Sequence, residues 1–417
     1  MLKLRIQGGR KLKGKVTISG AKNAALPALA ACILTEKPVH LLNLPTVWDT
    51  RTMLKLLFHI GAESAKLENG SSSIQIKEIQ SSEAPYELVK TMRASILALG
   101  PLVARNGYAK VSLPGGCAIG ERPVNFHLDG LKKLGAKVEI KSGYIEVKCK
   151  KLKGGEFTFE RKSVTGTENL MMAASLAEGT THLINCAKEP EVMDLSLLLN
   201  AMGAKISGAG TDKITIEGVK ALKGAKHKVI SDRIEAGSYI IAAVAAGKDV
   251  EITNINPDHL TSLLSKLEEV GVKFKVRKSS ILVQNQGSLK ARDMSTSPYP
   301  GFPTDMQAQY MTLMTRAVGA SIITETIFEK RFMHVAELCR MGADIKIKGR
   351  NAVVKGPTPL KGVQVMATDL RASASLVIAA LIAEGETVID RVYHLKRGYE
   401  NLEEKLRALG AEIETIS

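Results

Sequence analysis

Leu134-Gly135-Ala136-Lys137-Val138 decides the fold, because it returns along the chain. Met202-Gly203-Ala204-Lys205-Ile206, Met341-Gly342-Ala343-Asp344-Ile345 and Leu409-Gly410-Ala411-Glu412-Ile413 repeat it, and Gly61-Ala62 and Val270-Gly271-Val272 are shorter versions. These glycines recur about every 70 residues. Each ends a segment of helical period and precedes an alternating one, the place of a glycine that closes a helix. Upstream of each lies a helix of small residues. Asn23 to Ala31, Arg93 to Leu99, Asn169 to Ala177, Ala236 to Ile240, Met306 to Tyr310 and Ala372 to Leu376 are the recurring copies. Val138-Glu139-Ile140, Ile214-Thr215-Ile216 and Ile281-Leu282-Val283 read as strands and their hairpin partners. The unit is strand-helix-strand-helix-strand-strand, too large for a solenoid rung. Six copies predict an α/β protein of two globular domains with three units each, the small-residue helices innermost.

The boundary between the third and fourth units falls near Val229-Ile230-Ser231-Asp232. The stretch from Met1 to Ile18 lacks a unit of its own and is expected to pair with the last one. That assigns residues 22–229 to an N-terminal domain and residues 1–21 with 230–417 to a discontinuous C-terminal one. Two chain crossings between domains make a double hinge, and a hinged cleft can close on a ligand.

Composition narrows the function without naming it. A net charge of +16 calls for an acidic partner, but the lysines are scattered and aromatics are only 4%. Stacking platforms for nucleic acid are therefore scarce, and small anionic substrates explain the charge equally well. Five cysteines without Cys-x-x-Cys pairing argue against a disulfide framework or zinc ribbon. No basic-then-apolar leader opens the sequence, and apolar stretches such as Ile240 to Gly247 fall short of a membrane span, so a cytoplasmic protein is expected.

Chemistry concentrates at unit edges. Leu113-Pro114-Gly115-Gly116-Cys117 through Arg122-Pro123-Val124-Asn125 is a glycine- and proline-rich loop that sets Cys117 near an arginine. An exposed thiol in electropositive surroundings forms thiolate readily; Cys32, Cys186 and Cys339 sit instead in periodic apolar segments and read as buried. Lys22, Arg93 and Arg371 stand at the starts of small-residue helices, Arg331 follows the fifth, and Arg397 lies in a loop. Their recurrence points to a shared anion site. Asp305 and Asp369 each precede a helix and read first as N-caps, second as general bases. Asp49 and His334 read as structural. No dinucleotide fingerprint, Walker loop or His-Glu-x-x-His is present.

Ser19-Gly20-Ala21-Lys22-Asn23-Ala24-Ala25-Leu26-Pro27, Met92-Arg93-Ala94-Ser95, the Cys117 loop, Phe302-Pro303-Thr304-Asp305-Met306-Gln307, Thr324 to Glu329, Arg331-Phe332-Met333-His334 and Asp369-Leu370-Arg371 together resemble the UDP-N-acetylglucosamine enolpyruvyl transferases over essentially the whole chain. The resemblance implies two inverse α/β barrels of three repeats each. It also implies transfer of the enolpyruvyl group of phosphoenolpyruvate to the sugar 3′-hydroxyl, by addition and elimination, without metal or organic cofactor, in peptidoglycan synthesis. Cys117 would protonate or capture phosphoenolpyruvate, and Asp305 would be the base, displacing its reading as a plain cap. Lys22, Arg122 and Arg397 would hold phosphate, and Arg331 and Arg371 the carboxylate, with Asn23 and Arg93 positioning the ligands. Arg122, Pro123, Val124, Asn125 and Phe126, the run Arg161, Lys162, Ser163 and Val164, and Ile327 would line the nucleotide-sugar site with Asp305. Asn125 and Lys396 replace aspartates common in the family, and the glycine after Val164 is shifted to Gly166. Sensitivity to the epoxide fosfomycin is implied through Cys117. The rival enzyme is 5-enolpyruvylshikimate-3-phosphate synthase, which shares fold and donor but lacks the loop cysteine. A basic nucleic-acid-binding protein and a repeat scaffold explain the placement of these residues less well. The expected partners are the two substrates, with neither nucleic acid nor membrane, and a monomer or weak homo-oligomer is expected.

Overall fold

The structure is a computed structural model that describes residues 2–63, 67–90, 92–113, 124–284 and 286–416. It divides into two compact units, one of residues 2–19 and 231–416, the other of residues 20–113 and 124–230. Among the described residues the strands form six sheets, three in each unit.

The fifth repeat shows the pattern. Strand Met294–Ser295 runs parallel to Gly319–Thr324, which pairs antiparallel with Asn351–Gly356, itself the hairpin partner of Asp344–Lys348. Ser321, Ile323, Ala352 and Val354 are buried while their chain neighbours turn outward, so one face of the sheet covers the core. Helices fill the crossovers between parallel strands.

Three strands are supplied from a distance. Leu12–Thr17 runs parallel to Gly247–Thr253 and so acts as first strand of the fourth repeat. Ala225–Lys228 does the same for the first repeat, against Val39–Leu42. Lys3–Gln7 completes the sixth, between Glu386–Asp390 and Glu412–Ile416. The unit of residues 20–230 is thus inserted between the first strand and first helix of the fourth repeat. Ser19 O accepts from Asp232 N at 2.9 Å, and Ile230 O accepts from Ala21 N at 2.7 Å.

The inner helices are Lys22–Ala31, Leu99–Asn106 and Val164–Ala174 in one unit, and Arg233–Ala246, Gln307–Met314 and Leu370–Ile382 in the other. Ala, Gly and Ser make up about half of Lys22–Ala31, Arg233–Ala246 and Leu370–Ile382, and these helices are buried on nearly every side rather than along one stripe. Short side chains let their axes approach, and each fully buried Leu or Ile adds about 1.5–3 kcal/mol. The outer helices end at Gly61, Gly135, Gly203, Gly271, Gly342 and Gly410, all with φ between +90° and +125°. That left-handed turn is open to glycine at no steric cost.

Two expectations need correction. Cys339 is exposed: Val335 and Leu338 take the inward face of helix His334–Arg340, and Cys339 follows on the outward side. Arg397 ends a 3-10 turn, Val392–Arg397, rather than lying in an open loop.

Candidate active site

The strongest constellation lies in the unit of residues 2–19 and 231–416. Asp305 sits inside the 3-10 turn Thr304–Met306, one residue before Met306, the N-cap position of helix Gln307–Met314. Its carboxylate meets two arginines, Arg331 Nη2 at 2.8 Å and Arg371 Nε at 3.2 Å. The capping role falls to Asp369, whose Oδ1 accepts from the backbone of Arg371 at 2.8 Å and of Ala372 at 2.9 Å. This cap starts helix Leu370–Ile382 and sets Arg371 in its first turn.

Arg371 is 2% exposed and stands over the Tyr399 ring, 5.4 Å from its centroid. Burial works against its charge, but Tyr399, Asp305 and Asp232 outweigh that and hold the guanidinium above its ordinary range. Its Nη1 and Nη2 are buried with no well-aligned hydrogen-bond partner among the described residues, although the Tyr399 hydroxyl lies close enough to favour the charge. Leaving such donors unmet costs stability, and a planar pair of them fits a carboxylate. Arg331 is held by Thr304 Oγ1, which accepts from Nη1 at 2.9 Å, and lies over the Phe328 ring.

Two histidines, neither assigned chemistry from the sequence, share the field of Asp369. Burial pushes His334 down to about 4; Asp369 opposes the shift and Arg331 adds to it. Burial and then Arg397 lower His394, again against Asp369. Both rings are therefore neutral near pH 7. Arg397 and Ile327 are half-buried.

In the unit of residues 20–230, Lys22 opens its helix with Nζ 3.7 Å from Asp49 Oδ2. Asp49, read as structural, is thus a counter-charge to a predicted site residue. Arg93 opens the 3-10 segment Arg93–Ala98. Burial, with the charge of Arg93 second, pushes His127 down to about 3. The neutral ring accepts at Nδ1 from Asn169 Nδ2 at 2.8 Å, leaving Nε2–H to face Thr165 Oγ1 at 3.3 Å. Phe126 packs edge-on against Phe159, with ring centroids 6.2 Å apart. Val124 precedes helix Asn125–Lys133, and Asn125 is exposed at its start. Ser163 Oγ caps the next inner helix by accepting from Gly166 N at 3.1 Å. A Cβ on Gly166 would lie 2.7 Å from that oxygen, so the cap is accommodated by a glycine at 166. Val164 is the first residue of that helix, Arg161 is exposed, and Asn23 is half-buried. Lys162 pairs with Asp212, which also takes Lys188 at 2.7 Å. Cys117, Arg122 and Pro123 lie outside the described residues.

No helix among the described residues is long and apolar enough to cross a membrane. A family model described as EPSP synthase (3-phosphoshikimate 1-carboxyvinyltransferase) matches residues 6–406. A UDP-N-acetylglucosamine 1-carboxyvinyltransferase of Koribacter versatilis is 58% identical over 420 residues, covering all of this chain and 97% of that protein. One from Magnetococcus marinus is 55% identical over 417 residues, covering all of both. The crystal structure of the enolpyruvyl transferase NikO from Streptomyces tendae superposes with a TM-score of 0.90 at 26% identity, covering 99% of this chain and 98% of the other. EPSP synthase from Acinetobacter baumannii superposes at 0.77 and 18% identity over all of both chains, a likeness of fold. The resemblance drawn from the motifs and the expected two-barrel α/β fold agree with these findings. The chain therefore belongs to the EPSP synthase family of enolpyruvyl transferases and, within it, to the UDP-N-acetylglucosamine 1-carboxyvinyltransferases.

Proposed function

We propose that this chain transfers the enolpyruvyl group of phosphoenolpyruvate to the 3′-hydroxyl of UDP-N-acetylglucosamine, releasing phosphate, as a cytoplasmic enzyme of peptidoglycan synthesis. The names of the full-length relatives support the substrates. The observation that carries the chemistry is Arg371, buried beside Asp305 with two terminal nitrogens lacking a well-aligned partner among the described residues.

Asp305 takes the proton of the 3′-hydroxyl as its oxygen adds to C2 of phosphoenolpyruvate, and Cys117 gives a proton to C3. The tetrahedral adduct keeps its carboxylate on Arg331 and Arg371 and its phosphate on Lys22, Arg122 and Arg397. Loss of phosphate, with a C3 proton removed, restores the double bond. Proton transfer by positioned groups supplies about 10²–10⁴-fold, and fixed cations meet the charge without reorganising. Asn23 helps to hold phosphoenolpyruvate, and Arg93, Arg122, Pro123, Val124, Asn125, Phe126, Arg161, Lys162, Ser163, Val164 and Ile327 hold the nucleotide sugar with Asp305.

The test is phosphate release from phosphoenolpyruvate with UDP-N-acetylglucosamine or shikimate-3-phosphate as acceptor, in wild type and Cys117→Ala. Turnover with the nucleotide sugar alone, lost in the variant, is expected. Turnover with shikimate-3-phosphate would move the chain to the sister enzyme.

A further inference from the structure

Glu325 carries no role in the chemistry above, yet it is fully buried, at 0% exposure. Its Oε1 accepts from Thr296 Oγ1 at 2.9 Å, Ile327 N at 2.8 Å and Phe328 N at 3.1 Å. Its Oε2 accepts from Thr304 Oγ1 at 2.8 Å. That hydroxyl, its proton given to Glu325, is left as an acceptor, and it takes Arg331 Nη1 at 2.9 Å. Arg331 Nη2 then reaches Asp305, and Thr304 is also the residue directly before Asp305 in the chain. Every donor around the carboxylate is met, so its orientation is set by four hydrogen bonds rather than by packing alone.

We infer that Glu325 is a positioning residue that fixes Asp305 through Thr304 and Arg331 and, through the backbone of Ile327, fixes one wall of the acceptor site. An acceptor-only carboxylate is needed because all its neighbours donate. A neutral amide at this place presents an NH₂ group to Thr304, turns the threonine hydroxyl away, and removes the negative charge behind Arg331. Arg331 is then balanced by Asp305 alone, which favours the ionised form of Asp305 and weakens it as a base. The inference rests on the proposed function for the roles of Asp305 and Ile327.

The experiment compares Glu325→Gln, Glu325→Asp and Thr304→Ala with wild type in steady-state phosphate release, with circular dichroism and melting to establish folding. Glu325→Gln is expected to lower kcat about tenfold while leaving KM for phosphoenolpyruvate within about twofold. The acidic limb of its kcat–pH profile should move down by roughly half a unit. Glu325→Asp, which keeps the charge, should hold the wild-type limb. Thr304→Ala combined with Glu325→Gln should cost no more than the larger single change, because both cut one relay. A Glu325→Gln enzyme that melts lower but keeps kcat and the pH profile would reduce the residue to a structural brace and overturn the inference. If wild type itself does not turn over, the function fails separately. A double-mutant cycle on unfolding between Glu325→Gln and Arg331→Met then decides this relay: coupling supports it, additivity removes it.

Discussion

Arg371 gives its Nε to Asp305 Oδ2 at 3.2 Å and keeps both terminal nitrogens buried without a well-aligned partner among the described residues. The aspartate thus orients the guanidinium, and under the proposed function the carboxylate of phosphoenolpyruvate would satisfy it. Arg371→Ala should lower kcat/KM for phosphoenolpyruvate about a hundredfold or more, since each hydrogen bond to a charged group is worth about 1.5–3 kcal/mol. Arg371→Lys should recover little, because an ammonium cannot give Nε and a parallel pair together. Phosphate-release kinetics at varied phosphoenolpyruvate check both; wild-type KM in the alanine variant would remove Arg371 from the site.

Asp305→Asn keeps the shape of the turn and, under the proposed function, removes the base. At saturating substrates kcat should fall by about 10²–10⁴-fold, with the protein still folded because Thr304 and Arg331 remain bonded. Turnover within a factor of about three of wild type would assign proton removal to another group.

The buried neutral histidines make stability fall in acid. His127 at about 3 and His334 at about 4 both lie below the ordinary 6.5. Below about pH 6.5 the unfolded chain binds protons that the folded chain refuses, and each histidine then removes roughly 1.4 kcal/mol per pH unit until its folded value is reached. His127→Gln offers Asn169 the same acceptor without titrating. Melting from pH 7.5 to 4.5 should give a shallower decline in this variant; an unchanged slope would rule His127 out as a source.

Gly100 lets helix Leu99–Asn106 lie close against helix Val164–Ala174. A Cβ there would lie 2.4 Å from Asn169 Oδ1 and 2.5 Å from Asn169 O. Gly100→Ala should destabilise by about 1–3 kcal/mol, read by urea unfolding. It should also disturb Arg93, since Asn169 bonds Gly100 N and Ile96 O on the same segment.

The repeat was legible because its marker is local: a glycine ending each outer helix needs only its own φ, and all six adopt the left-handed turn. The placement of Lys22, Arg93 and Arg371 at the starts of their segments was legible for the same reason, since an N-terminus is a feature of neighbours in sequence. The pairing of Asp305 with Arg371 is not, because 66 residues separate them and Asp305 looks locally like a cap. Asp369 looks identical and is one. The pairing of Asp49 with Lys22 was not legible either, because the two lie on different helices. Cys339 misled because an apolar run around one turn does not say which side faces in.

The inserted unit governs the order in which the chain assembles. Strand Leu12–Thr17 must wait for Gly247–Thr253, so a ribosome releases the whole 20–230 unit before the strand's partner exists. Closing so long a free loop costs about 5 kcal/mol of chain entropy. If the insert folds first, its own bond between Ala21 N and Ile230 O draws the two ends together and removes most of that cost. Residues 2–19 are made before the insert and used after it, and the earlier-finished unit serves as the staple that returns them to their sheets.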